Sequence, residues 1–266
     1  MMKKIIKTFL VKYGWFEYFK YTKLYQLYVR LRNPENHEFH LKEEAFYGSF
    51  LKHSKLVFDI GANHGNKTAV FLKFSEQVIL LEPEINCLDI LKFRYAKNRK
   101  AVIVPKAVSN NTDKQTFYIQ ESGSGYNTLS HKWKDVLEND SRWGKFKFQG
   151  SYEVETTTLT ELIKLYGTPD YIKIDVEGHE KEVVLNLSKA VPLLSIECNL
   201  PEFLSETMDI LEHLVRLDSN YVFNYSQNDF GKFEFPEFVS YSEFKKIFLN
   251  DSIRYMEVYC KNKVNS

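Results

Sequence analysis

The string Asp59-x-Gly61-x-Asn63-x-Gly65 closes the apolar run KLVFDI (55–60), and Glu82 follows a second run, QVILL (77–81). Such a turn lets the backbone fold tightly at the carboxyl end of a parallel strand and sets a ligand at the next helix N-terminus. A dinucleotide GxGxxG pattern would need glycines at 63 and 66, where the chain has Asn63 and Asn66, so dinucleotide oxidoreduction is disfavoured. Asn tolerates the left-handed backbone better than most residues, so Asn63 can stand where a glycine is otherwise expected. Taken alone, the turn reads equally well as a strand-to-helix connection that binds nothing. Glu82 favours a ligand: it lies 21 residues beyond Gly61, where an α/β nucleotide fold grips two ribose hydroxyls with one carboxylate. Pro83 stops the strand and aims that carboxylate.

A second group of chemically capable residues lies further on. Asp175 ends the run YIKIDV (171–176), with Glu177, Gly178, His179 and Glu180 in the turn behind it; Glu197 ends LLSIEC (193–198), followed by Asn199. If these two runs are neighbouring strands, about 4.7–4.9 Å apart, both carboxylates sit on the carboxyl edge of the sheet. Acids at a helix start also serve as caps, and Glu180 is read that way.

The elements that must position these groups follow from periodicity. The runs above, with Ala101–Val104, are strand-length, β-branched and bounded by Gly, Pro or Asn. Between most of them, apolar residues recur at helical spacing, as in Leu159, Leu162, Ile163 and Tyr166. Continuous apolar strands alternating with amphipathic helices predict a parallel sheet covered on both faces. Residues 110–158 interrupt the alternation with two strand-like segments, QTFYIQ and YEVETTTL, around a polar stretch at 122–150, read as an inserted pair of strands and a loop over the active site. A helix at 203–217 and strands at 221–225 and 254–260 end the sheet.

The 266 residues carry 36 basic and 35 acidic side chains, a net charge of +1, which argues against nucleic-acid binding. Residues 1–32 hold eight Lys/Arg against Glu17 alone, a balance of +7, and are rich in Phe, Tyr and Trp; the rest of the chain balances at −6. Residues 1–42 are therefore predicted to be a basic, aromatic helical appendage and 43–266 the catalytic domain. The head is expected to pack on the domain or a second subunit, or to touch an anionic membrane. No run reaches the ~18 apolar residues of a membrane span. Cys87, Cys198 and Cys260 lack CxxC spacing, so the expected place is a reducing cytoplasm, with peripheral contact at the inner membrane surface as the variant.

Together, DIGANHGNKT (59–68), LEPE (81–84), KAVSNN (106–111), GSGYNTLS (123–130), ETTTLTELI (155–163), YIKIDVEGHEKEVV (171–184) and LLSIECN (193–199) resemble, in order, the motifs of the FkbM family of S-adenosylmethionine-dependent methyltransferases. The resemblance covers about residues 43–200. It implies a class I methyltransferase fold, a three-layer sandwich around a seven-stranded, mostly parallel sheet with an antiparallel last strand. By position, Asp59, Gly61, Asn63 and Gly65 would cradle the methionine part of S-adenosylmethionine, Glu82 the ribose, and Ala107 and Val108 would border the adenine.

The resemblance implies methyl transfer to a hydroxyl of a small molecule, sugar or glycan, an in-line displacement in which the alcohol must lose a proton. The base candidates are Asp175, Glu177 and His179. The other means is Mg²⁺ or Mn²⁺ held by Asp175, Glu197 and Asn199, which would lower the pKa of a bound hydroxyl. Asn127 and Thr128 could approach the acceptor or the cofactor. Two alternatives stand beside this reading. One is N-methylation of RNA or protein, because Asn199-Leu200-Pro201 faintly resembles the signature of amino-group methylators. The other is a silent cofactor-binding subunit, against which the intact acids speak.

Overall fold

In the computed structural model, residues 15–144, 146–227, 232–250 and 252–264 are described. Seven strands form the main sheet: β1 (Ser54–Ile60), β2 (Ser75–Leu81), β3 (Ala101–Val104), β7 (Tyr171–Ile174), β8 (Leu193–Asn199), β9 (Tyr221–Ser226) and β10 (Tyr255–Asn262). Their order is β3-β2-β1-β7-β8-β10-β9, and β10 runs antiparallel to both neighbours. This is the class I methyltransferase order, with the switch point between β1 and β7, where ligands bind outside the carboxyl ends of strands.

Alternation along each strand divides the core. Phe58, Ile60, Ile79, Ile172, Leu194 and Ile196 face one way, against α7 (Leu159–Tyr166), α8 (Glu180–Val184) and α9 (Leu204–Leu217). Val57, Val78, Leu80 and Tyr171 face the other way, against α3 (Pro34–Leu51), α4 (Asn66–Phe74) and α5 (Ile85–Tyr95). With both faces covered, the strands have no polar side to show, which is why they read as unbroken apolar runs.

The segment between β3 and β7 holds the two expected strands in a second sheet, β4 (Ala107–Val108), β6 (Gly150–Thr157) and β5 (Lys114–Ile119), with β5 and β6 antiparallel. The stretch read as loop differs: it holds α6 (His131–Asn139), capped by Ser130 Oγ accepting from Trp133 N, with Trp133 and Leu137 buried. Trp133, Val136 and Leu137 have helical spacing, a signal outweighed by the glycines around them.

In the head, the expected helices over residues 3–14 lie outside the described residues. The rest forms α1 (Phe16–Lys20) and α2 (Lys23–Arg32), and α3 then starts at Pro34, a favoured first helical residue. Residue 42, the expected boundary, falls inside α3: Leu41 and Lys42 are exposed, whereas Glu43, Phe46, Tyr47 and Leu51 are buried. The head packs on the body. Tyr18 meets Phe93 edge-on, and the Tyr21 ring lies between His64 and the Arg94 guanidinium, 4.1 Å from the latter. All three cysteines are buried and free, and among the described residues no helix is long and apolar enough to cross a membrane.

Candidate active site

The sheet's carboxyl edge opens into a cavity of about 270 Å³, whose lining includes Asp59, Gly61, Asn63, Glu82, Ala107, Val108, Asp175 and Glu177. Gly65 stands just outside it as the N-cap of α4, at φ 75°. The turn needs its special residues. A Cβ on Gly61 would lie 1.8 Å from the Asp175 carbonyl oxygen, and one on Gly65 would strike Tyr95 and Leu91. Asn63 adopts φ 48°, the left-handed conformation expected of it. Arg94 Nη1 donates to the His64 carbonyl and, at 3.0 Å, to Asn66 Oδ1, so the turn is braced from α5. His64 lines the cavity and is half-buried against Tyr21.

Glu82 is buried, and each carboxylate oxygen accepts one backbone N–H, from Asn63 and Glu84, both at 2.8 Å. A carboxylate has further lone pairs, so it can still receive ribose hydroxyls. Burial outweighs these bonds and raises its pKa to about 7. A carboxylate accepts ribose hydroxyls best when ionised, and burial holds the Glu82 carboxyl up at about 7, so, with Glu82 as ribose ligand, binding should weaken as the pH falls below that value. The affinity for S-adenosylhomocysteine is therefore expected to fall roughly 25-fold from pH 7.5 to 5.5. Calorimetric titration across this range checks it; a flat profile would remove Glu82 from ligand binding.

Beneath the cavity, strand register builds a charged layer. Asp59 is opposite Lys173 and Lys173 opposite Ser195; Glu197 is opposite Glu257 on the next strand. Lys173 is buried and donates to Asp175 Oδ2 at 2.6 Å. Burial works against its charge, but Asp175, Glu257 and Asp59 outweigh that and lift its pKa well above the ordinary lysine value. Burial likewise opposes ionisation of Asp175, and Lys173 overcomes it, holding Asp175 below the usual carboxylate range. For Asp59, burial prevails over Lys173 and the Thr68 hydroxyl, and its pKa is raised.

Glu177 occupies the junction of two cavities. Besides the first, it lines a second of about 690 Å³, together with Tyr126, Trp133, Arg142, Glu197, Asn199 and Arg254 among others. Its backbone is left-handed at φ 56°, an uncommon state for a glutamate and one that recurs at functional sites. The surroundings fix it. Thr128 Oγ1 donates to its carbonyl at 2.7 Å, and Trp133 Nε1 to its Oε2 at 2.9 Å. Glu180, expected as a helix cap, stands in the first turn of α8, but its Oε1 accepts from Val176 N and Gly178 N, so that acid ties the turn ahead of the helix. Burial and then the Asp175 charge push the Glu177 carboxyl well above its ordinary range, and the same causes raise Glu197.

Carboxylate oxygens of Asp175, Glu177 and Glu197 can lie within 4.8 Å of one another. The expected metal set named Asn199 with Asp175 and Glu197. Glu177 joins the two acids, its carboxylate within 4.8 Å of theirs, and the Asn199 amide donates its Nδ2 to Glu197 Oε1 at 3.4 Å. His179 is directed elsewhere: it lines neither cavity, is buried, and its Nε2 is 2.9 Å from Ser109 Oγ. Burial lowers its pKa to about 4, so it is a neutral packing residue behind the turn, contrary to its reading as a base candidate. Asn127 lines the first cavity but spends its amide on Gln120 N and the Glu121 carbonyl, shaping the Gly-rich loop. Lys173, Trp133 and His64 were not foreseen. A lysine between two isoleucines in a buried strand was the available signal for the first.

A family model for the methyltransferase FkbM domain matches residues 59–225. No curated protein matches the chain. Among solved structures, the chain is similar to the FkbM methyltransferase of Methylobacillus flagellatus KT (14% identity, TM-score 0.47, 78% of this chain and 43% of that one). It is also similar to a precorrin-6y C5,15-methyltransferase of Geobacter metallireducens GS-15 (12%, 0.41, 82% and 87%) and to the spermidine synthase of Thermotoga maritima (13%, 0.40, 81% and 56%). The chain thus spans less than half the length of the first of these proteins. With more than half of its residues matched by the family model and the strand order of the class I fold, the chain belongs to the FkbM methyltransferase family, whose methyl donor is S-adenosylmethionine.

Proposed function

We propose that the protein transfers a methyl group from S-adenosylmethionine to a hydroxyl of a sugar or other small polyol, with Glu177 as general base. The observation that carries this reading is the position of Glu177, lining both the cofactor cavity and the larger cavity beside it. An acceptor in the larger cavity would meet the donor methyl at that junction. Its lining mixes aromatic faces (Tyr126, Trp133, Tyr255) with Arg142, Arg254, Glu197, Asn199 and Glu202, a combination suited to the apolar faces and hydroxyl rims of a sugar ring.

The raised pKa of Glu177 suits an acceptor of an alcohol proton, because a stronger base takes more of that proton in the transition state. When the sulfonium arrives, its positive charge favours the ionised carboxylate and brings the group into its working form. Asp175, kept ionised by Lys173, adds negative potential beside the sulfonium. The acid-leaning body suits a cationic donor.

A second reading of the same cluster is favoured by one observation: Glu197 Oε2 is buried and receives no hydrogen bond. Asp175, Glu177 and Glu197 are oxygen ligands that fit Mg²⁺ or Mn²⁺, and such an ion would lower the pKa of the acceptor hydroxyl. The two readings part on treatment with EDTA. Full retention of rate leaves Glu177 to act alone, whereas loss restored by Mg²⁺ or Mn²⁺ moves the chemistry to the ion.

Function itself is tested with labelled S-adenosylmethionine and a panel of sugars, glycan intermediates and simple alcohols. Label recovered in an alkali-stable ether is the expected result. Label on RNA or on protein amines would replace the hydroxyl assignment, and calorimetry showing no S-adenosylhomocysteine binding would overturn the cofactor site as well.

A further inference from the structure

Helix α2 is amphipathic in an inverted sense. Only Tyr25 and Val29 are shielded from solvent; Leu24, Leu27, Tyr28 and Leu31 are 69%, 54%, 44% and 74% exposed. At 100° per residue these four fall on one stripe about 100° wide, with Lys23 and Arg30 along one border and Arg32 along the other. The stripe is not a loosely placed end. Tyr21, one residue before the Thr22 N-cap, is wedged between His64 and Arg94. Tyr25 and Val29, with Tyr28 and Arg32 at the rim, line the cleft shared with Asn66, Ala69 and Val70 of α4, and Lys23, Leu27 and Arg30 rim a second cleft beside His37 and His40 of α3.

We propose that α2 docks the protein on an anionic membrane surface, lying in the interface with Leu24, Leu27, Tyr28 and Leu31 in the acyl boundary and Lys23, Arg30 and Arg32 among the headgroups. Charge decides between occupants. A two-fold contact with a second copy would bring the cations bordering one stripe against those bordering the other, on heads that each carry +7 over residues 1–32. Anionic lipid satisfies the apolar stripe and both cationic borders together. Residues 1–14, with four lysines and no acid, add to the same attraction.

The test is co-sedimentation of the full chain with vesicles of phosphatidylcholine alone and of phosphatidylcholine with phosphatidylglycerol. Binding to the mixed vesicles is expected to be at least about tenfold tighter than to neutral ones and to weaken in high salt. The variant Leu24→Ser/Leu27→Ser/Leu31→Ser should lose about tenfold or more of that binding, with S-adenosylhomocysteine affinity and melting temperature unchanged, because the three side chains are exposed. Should the triple variant melt early, the reversal Arg30→Glu/Arg32→Glu supplies the same test on two exposed arginines. Pelleting of these variants equal to that of the parent protein overturns the proposal. So does a parent protein that ignores mixed vesicles and instead forms dimers that the triple variant abolishes.

Discussion

Glu177→Gln is expected to slow methyl transfer by about 10²–10⁴-fold, the range of a lost general base, while S-adenosylhomocysteine affinity stays within about threefold. The substitution is nearly isosteric, and its amide oxygen can still accept from Trp133 Nε1, so the left-handed turn and the α6 contact persist. What disappears is the capacity to take a proton. Asp175→Asn is the companion: it keeps a side chain beside Lys173 but removes the charge from the proposed sulfonium site, and it should lower both rate and donor affinity. The contrast between the two is informative. An unaltered rate in Glu177→Gln would withdraw the base assignment, and unaltered rates in both variants would withdraw the cluster from catalysis altogether.

Gly61→Ala is expected to lose about 3 kcal/mol or more of stability, together with S-adenosylhomocysteine binding, as a lowered denaturation midpoint and an absent calorimetric signal. Two penalties coincide there. The residue sits at φ 81°, and the added methyl would stand 1.8 Å from the Asp175 carbonyl oxygen. Neither strand can yield easily, since Gly61 N donates to Leu81 O and Asp175 N to Ile60 O, each at 3.0 Å. Gly150→Ala serves as the comparison, because nothing lies within 4 Å of a Cβ at that site. It should stay within about 0.5 kcal/mol of the parent. Equal stability of the two variants would mean that the turn tolerates what its geometry forbids.

The sheet was legible because its strands are covered twice: KLVFDI, QVILL and YIKIDV leave no side for water, and the site residues Asp59, Glu82 and Asp175 fall where those runs end. The antiparallel last strand followed from family resemblance rather than from any local pattern, since direction is set by partners distant in sequence. Lys173 and Glu257 were illegible for the same reason. Each reads as a lone charge inside an apolar strand until register sets Asp59 beside one and Glu197 beside the other. His179 shows the opposite failure. Its side-chain type suggested proton transfer, but the turn that presents Glu177 to the cavity carries His179 round toward Ser109. Helix α6 was hidden by its neighbours, and with it Trp133, the residue that orients the proposed base.

Helix α3 starts in the exposed head at Pro34 and ends at Leu51 under the sheet, with no break at residue 42. Glu43, buried midway along it, accepts from Lys67 Nζ at 2.7 Å, and Lys67 lines the cavity at the carboxyl edge of the sheet. A single helix thus joins the peripheral helices to the wall of the proposed donor pocket. No turn or loop separates Pro34 from Glu43, so the head and the wall of the cavity share one helix.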